Sequence, residues 1–163
     1  MKTQHKDIDW TAFIILLAAN VAIGFFASLF TRPEIHGWYA TLQKPSFNPP
    51  PWLFGPVWSV IYVLIAISAY RVWRHRNDSW EFTVATLIYI VQLALNFAWS
   101  LVFFGMHQVY WALVVILALL ASIILNMVFF SRFSRMGAWL LLPYLLWVSF
   151  ASVLNLNIYL LNR

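Results

Sequence analysis

Four long stretches of this chain carry no Asp, Glu, Lys or Arg: Trp10 to Thr31, Pro45 to Tyr70, Phe82 to Ser131 and Met136 to Asn162. A helix needs about 20 apolar residues to cross the hydrocarbon core of a bilayer. The first, second and fourth stretches each hold one such span. The third holds two, with Gly105-Met106-His107-Gln108 as a polar turn between them. The spans must be helices, because hydrocarbon offers no partner to open backbone groups. The expected fold is an all-α membrane protein, a single-domain bundle of five transmembrane helices near residues 10–30, 54–74, 82–104, 108–130 and 138–160. The first apolar run is of full spanning length and is not followed by a small-residue cleavage site, so it reads as a helix and not as a cleaved signal peptide.

Composition agrees. The 163 residues are 63% hydrophobic and 9% charged, against about 25% charged in an ordinary soluble domain. A chain this short cannot hide so much apolar surface from water. Lys and Arg set the expected orientation. Lys2, Lys6, Arg71, Arg74, Arg76, Arg132 and Arg135 fall on the N-terminal side, and Arg32, Lys44 and Arg163 on the other. Seven cations against three place the N-terminus in the cytoplasm. The net charge of +5 fits loop charges facing anionic lipid, and no nucleic-acid-binding pattern accompanies it.

The one long connection, residues 32–53, holds Pro33, Pro45, Pro49, Pro50 and Pro51, so it is not a regular helix throughout. It also holds Trp38, Tyr39, Phe47 and Trp52, which is the composition of a folded lid over the bundle. No internal repeat or low-complexity segment is evident.

Several chemistries are excluded. With no Cys there is no disulfide, thiolate metal site or thiol nucleophile. No Asp, Glu or Lys falls inside a span, which argues against a proton-coupled pump and against paired-carboxylate hydrolysis. His5, His36, His75 and His107 lack metal-ligand spacing. They read as surface residues, with His36 or His107 as axial haem ligands the sharper alternative. What remains inside the spans is amide, hydroxyl and aromatic. Gln92, Asn96, Trp99 and Phe103 share a helix face by spacing, as do Trp58, Tyr62, Ala69 and Trp73, and Trp147, Ala151 and Leu154. The polar groups serve either as glue between helices or as orienting groups in an aromatic-walled pocket, and periodicity does not choose. Small residues four apart (Ala18 and Ala22, Gly24 and Ser28, Ala94 and Ala98) suit close packing within the bundle or a homodimer seam.

Three segments are more specific: Trp38-Tyr39-Ala40-Thr41-Leu42-Gln43-Lys44-Pro45-Ser46-Phe47-Asn48-Pro49-Pro50 with Gly55-Pro56-Val57-Trp58; Gln92-Leu93-Ala94-Leu95-Asn96-Phe97-Ala98-Trp99; and Pro143-Tyr144-Leu145-Leu146-Trp147 with Phe150-Ala151-Ser152-Val153-Leu154-Asn155. Together they closely resemble the tryptophan-rich sensory protein and translocator protein family (TspO/MBR, the peripheral-type benzodiazepine receptors). The resemblance covers almost the whole chain.

It implies a five-helix bundle, usually a homodimer, whose first loop caps a cavity for porphyrins, notably protoporphyrin IX, and for benzodiazepine- or isoquinoline-type ligands. No cofactor is required; the porphyrin is ligand or substrate. The implied role is a receptor or sensor linked to tetrapyrrole handling, with light- and oxygen-dependent porphyrin degradation or porphyrin and sterol translocation as alternatives. By resemblance the ligand-binding positions are Tyr39, Trp58, Asn96, Trp99, Trp111, Trp147, Ala151 and Leu154, and Trp58 and Trp147 would carry any degradation. Leu154, Tyr159 and Arg163 satisfy the loose sterol pattern. Leu156-Asn157-Ile158 replaces the aromatic-rich segment of animal members, which points to a bacterial cell-membrane protein. Arg32 and Lys44 in the lid are the cations available to porphyrin propionates.

Overall fold

The computed structural model describes residues 8–163. Lys2 and Lys6 of the charge count, and His5, lie outside the described residues. Helix α1 runs Trp10–His36 and α2 is the turn Trp38–Thr41. A 3-10 turn, Pro51–Leu53, leads into α3, Phe54–Trp73. Helix α4, Trp80–Ser100, continues into a π turn, Leu101–Gly105, and is followed by α5, Val109–Ser131. Helix α6, Arg135–Trp139, breaks at Leu140 and Leu141 and resumes as α7, Leu142–Leu161. Five segments are long and apolar enough to span a membrane: Trp10–His36, Pro51–Trp73, Trp80–Gly105, Val109–Ser131 and Arg135–Leu161. The chain is an all-α bundle, with no strand among the described residues.

Helix ends are set locally. The Asp9 side chain accepts from the Ala12 amide at 3.0 Å, Ser79 from Phe82 at 3.2 Å and Ser134 from Gly137 at 3.0 Å, each satisfying a donor that the first turn leaves open. Pro143 sits at the start of α7, where its missing N–H costs nothing.

Helix α1 extends beyond the expected span, through Pro33 to His36. Proline in the last turn already has a helical φ, and its ring deprives only one carbonyl of a donor. The expected loop therefore begins as helix and is irregular chiefly from Leu42 to Pro50. The turn between the third and fourth spans has left-handed backbone at His107, φ 56°, and the π turn before it closes through the Met106 amide on the Leu101 carbonyl, 2.9 Å.

The spans form a ring. Helix α1 packs on α3 and α4, α4 on α5, α5 on α7, and α3 on α6 and α7. The centre is filled by Ile65, Leu119, Ile123, Tyr144 and Val148, each at most 1% exposed.

Candidate functional site

Within the spans, the amides mostly tie helices together. Asn20 Nδ2 donates to the Tyr89 hydroxyl at 2.6 Å, joining α1 to α4, and Asn126 Nδ2 donates to Gln92 Oε1 at 2.9 Å, joining α5 to α4. Asn96 joins three helices. Its Oδ1 accepts from the Tyr62 hydroxyl at 2.6 Å and its Nδ2 donates to the Tyr144 hydroxyl at 2.9 Å. Trp99 Nε1 donates to Asn155 Oδ1 at 3.0 Å, and Asn155 Nδ2 donates onward to the Val109 carbonyl at 3.0 Å. In a medium without water, such pairs hold side chains in place as well as helices.

A cavity of about 560 Å³ opens between α1, the start of α3 and the end of α4, within the usual range of small-molecule sites. Trp58, Tyr62, Trp99 and Phe104 supply aromatic walls, and Trp52 sits at the lid end. Trp58 stacks on Tyr62 at 5.6 Å and meets Tyr144 edge-on at 6.2 Å. Trp99 stacks on Phe103 at 5.3 Å. Ser28, Thr31 and Ser59 also line the cavity. Their hydroxyl hydrogens go to the carbonyls of Phe25, Ala27 and Gly55 on their own helices, which leaves oxygen lone pairs to face a ligand. Arg32 is the one charged residue in the lining.

A second depression of about 550 Å³ lies between α3 and α7, walled by Pro56, Val57, Val60, Ile61, Pro143, Leu146 and Trp147. It is apolar throughout. Trp147 therefore does not share the cavity of Trp58; Phe54, a cavity wall, meets Trp147 edge-on at 6.1 Å between them.

The remaining expected site residues fall elsewhere. Asn96 is 3% exposed and its amide is consumed by the two tyrosines, so it backs the cavity without lining it. Tyr39 is buried and packs on Phe103 and Phe104 at 6.1 and 5.7 Å; it supports the wall through Phe104. Burial pushes the Tyr39 phenol up to about 12, so at neutral pH it keeps its proton and donates it to Asn48 Oδ1 at 2.6 Å. Ala151 is half-buried against the central core, and Leu154 is buried beside Tyr39, Phe103 and Ile158. Trp111 is 59% exposed on the outer face of α5, against Tyr110, away from both depressions. In the sterol pattern Leu154 faces the core, whereas Tyr159 packs on Tyr110 at the surface and Arg163 is exposed. The three do not form one lipid-facing surface. Spacing did not mark Phe54 or Ser59 as site residues, although both lie on α3 close to Trp58, and it marked Ser28 only as a small packing residue; the approach of α1 to α3 is what brings Ser28 to the same cavity as Trp58.

The lid is tied down at two points. Asn162, at the end of α7, accepts from the Gln43 amide at 2.9 Å and donates to the Gln43 carbonyl at 2.8 Å. At the other point His107 Nε2 lies 3.2 Å from Glu34 Oε2 and its ring stacks on Trp38 at 4.3 Å. Lys44 is turned into the lid itself. Its Nζ donates to the carbonyls of Tyr39, Ala40 and Leu42 at 2.7, 3.3 and 2.9 Å and lies 5.0 Å above the Tyr39 ring. Replacing Asn162 with alanine removes both bonds to Gln43. At about 0.5–1.5 kcal/mol each, hydrogen exchange in residues 38–48 is expected to quicken about tenfold, while that of α5 stays unchanged. Mass-spectrometric exchange in a mild detergent reads both, and equal protection in the variant would show that the latch does not hold the lid.

Five membrane-spanning helices, with an aromatic-walled cavity between α1, α3 and α4, define an integral multi-pass membrane protein. The chain belongs to the TspO/MBR family, whose family model matches residues 13–161. It is 45% identical over 146 residues to the tryptophan-rich protein TspO of Archaeoglobus fulgidus, covering 90% of this chain and 94% of that one. It is 42% identical over 132 residues to the human translocator protein, covering 80% and 78%. It is 33% identical over 156 residues to the tryptophan-rich sensory protein of Cereibacter sphaeroides, covering 96% and 94%. Among the described residues, no group of three or more His, Asp or Glu comes together as a metal site.

Proposed function

We propose that this protein is a membrane receptor or sensor that binds porphyrins, with protoporphyrin IX as the test case, in the cavity between α1 and α3, and that flat aromatic ligands of the benzodiazepine and isoquinoline type compete there. The observation that carries the reading is the cavity itself. Fixed indole and phenol faces line a space of small-molecule size, hydroxyl oxygens supply acceptors, and no acidic residue lines it. Aromatic stacking adds about 0.5–1.5 kcal/mol per good pair beyond burial. A flat macrocycle with an apolar centre and acids on one edge matches such a site, with its acids at the lid end. The names carried by the relatives, sensory protein and translocator protein, support the general role. We place the N-terminus in the cytoplasm of a prokaryotic cell and the lid outside, from the distribution of Lys and Arg. A homodimer through the exposed Ala94 face of α4 is part of the same reading; Gly24 on α1 is already occupied by packing on Tyr62.

The test is a dark absorbance titration of protoporphyrin IX into purified protein. A saturable shift is expected, with Trp58→Ala about tenfold weaker, corresponding to one lost stack plus part of the burial. Trp111→Ala serves as the control on the outer surface. A linear, non-saturating signal that matches empty nanodiscs would reject the proposal.

Light-dependent oxidative breakdown of the porphyrin is the second reading. What favours it is the packing of Trp58 on both Tyr62 and Tyr144, a cluster of oxidisable rings beside the ligand. Trp147, outside that cavity, would act through Phe54 and not by contact. Equal rates of photobleaching for wild type and Trp58→Phe at equal occupancy would remove Trp58 from such a reaction.

A further inference from the structure

We propose that Arg32 reads the acid groups of the ligand, so that the cavity selects carboxylate-bearing tetrapyrroles over their uncharged counterparts; this rests on the porphyrin reading above. Sequence offered two lid cations for this role, Arg32 and Lys44, and the structure separates them. The ammonium of Lys44 has three hydrogens and three lid carbonyls within reach. Its charge is spent holding the lid together. Arg32 lines the cavity, and no ion pair involves it among the described residues. The carboxylate two residues along, Glu34, is engaged by His107 at 3.2 Å and by the Trp38 amide at 3.3 Å, on a different side of α1.

Among the described residues, no other cation lines the cavity. His107 is paired with Glu34, and Arg163 is exposed at the end of α7 and absent from the lining. Position adds to the case. Arg32 lies at the lid end of α1, where a long side chain keeps its stem along apolar surface and its guanidinium at the water edge. The aromatic walls, Trp58 and Trp99, lie deeper. An amphiphile with a flat apolar body and acids on one edge meets both parts of that gradient at once. A guanidinium also suits a carboxylate better than an ammonium does, since it donates two parallel hydrogen bonds.

The experiment compares protoporphyrin IX with its dimethyl ester, which keeps the ring and removes the charges. Binding is measured in the dark in neutral-lipid nanodiscs for wild type, Arg32→Gln and Arg163→Gln. Differences in lipid partitioning cancel when the acid-to-ester ratio is compared between proteins. Wild type is expected to favour the acid about tenfold, as for one charge-assisted contact. Arg32→Gln is expected to bring the acid to the level of the ester and leave the ester unchanged. Arg163→Gln, an equal change of net charge at the same end of the bundle, is expected to keep the preference. The acid affinity of wild type should weaken with salt and that of Arg32→Gln should not.

An acid preference that survives in Arg32→Gln overturns the assignment, as does an equal loss for acid and ester. Equal affinities in wild type overturn it while leaving the porphyrin reading intact. Failure of both probes to bind wild type overturns the two together.

Discussion

Asn96→Leu is expected to lower the stability of the folded bundle by about 2 kcal/mol, although leucine has as many side-chain heavy atoms as asparagine and suits a bilayer far better. The cost comes from the partners. Tyr62 on α3 and Tyr144 on α7 both point their hydroxyls at Asn96 on α4, at 2.6 and 2.9 Å, and the three residues are 7%, 0% and 3% exposed. Leucine leaves two phenols buried without a partner. An orphaned buried hydroxyl costs about 1–3 kcal/mol in proteins generally, while interhelical hydrogen bonds in membranes average about 0.6 and reach about 1.7 kcal/mol. Two bonds lost together give a figure near 2. The site should suffer as well, since Trp58 packs on both tyrosines and loses the support that fixes its ring. The control is the triple variant Asn96→Leu, Tyr62→Phe, Tyr144→Phe. Removing all the polar partners removes the orphans, so most of the lost stability should return. Unfolding of wild type, the single variant and the triple variant by a denaturing detergent would measure this. A single variant as stable as wild type would mean that the phenols find other partners and that Asn96 is not what joins the three helices.

The same residue shows where reading the sequence stops. The spans expected near 54–74 and 108–130 correspond to the segments Pro51–Trp73 and Val109–Ser131, because exclusion of charge from hydrocarbon is a strong and local constraint. That Gln92, Asn96 and Phe103 share one face of the helix followed from spacing. Their partners did not, since nothing in the chain from Gln92 to Trp99 states that Tyr62 and Tyr144 lie opposite.

Trp99 and Trp111 make the difficulty plain. Each stands in an apolar helix, and lipid and cavity are both apolar, so hydrophobic patterning cannot tell a wall from an outer face. Trp111 lies at the start of α5 beside an exposed Tyr110, as an interfacial aromatic does. The course of α1 past Pro33 was hidden for a different reason. The bias of a residue before proline away from helix is weak enough to be overridden by contacts further along, here Glu34 with the Trp38 amide and His107. The π turn at Leu101–Gly105 has no composition of its own.

Gly24→Ala is expected to destabilise the protein by about 1–2 kcal/mol and to weaken porphyrin binding at least tenfold, against the usual gain of about 1 kcal/mol when alanine replaces glycine within a helix. A methyl group at Gly24 would lie 2.5 and 2.6 Å from two ring carbons of Tyr62. An aromatic ring at the end of a flexible side chain could ordinarily swing aside. This one is held by its hydroxyl bond to Asn96 and by the stacked ring of Trp58, so the strain passes to the backbone and pushes α1 from α3. Overpacking of this kind costs about 1–3 kcal/mol, more than the helix propensity returns. The loss of binding follows because Gly24, Tyr62 and Trp58 line one cavity: a shift of either helix alters the gap into which the ligand fits. A cycle with Tyr62→Val tests the cause. That change removes the ring that the methyl group meets, so the double variant should be more stable than the sum of the single effects by about 1 kcal/mol, within the range for residues in contact. Strict additivity would place the cost of Gly24→Ala elsewhere and would separate the α1–α3 approach from the shape of the site.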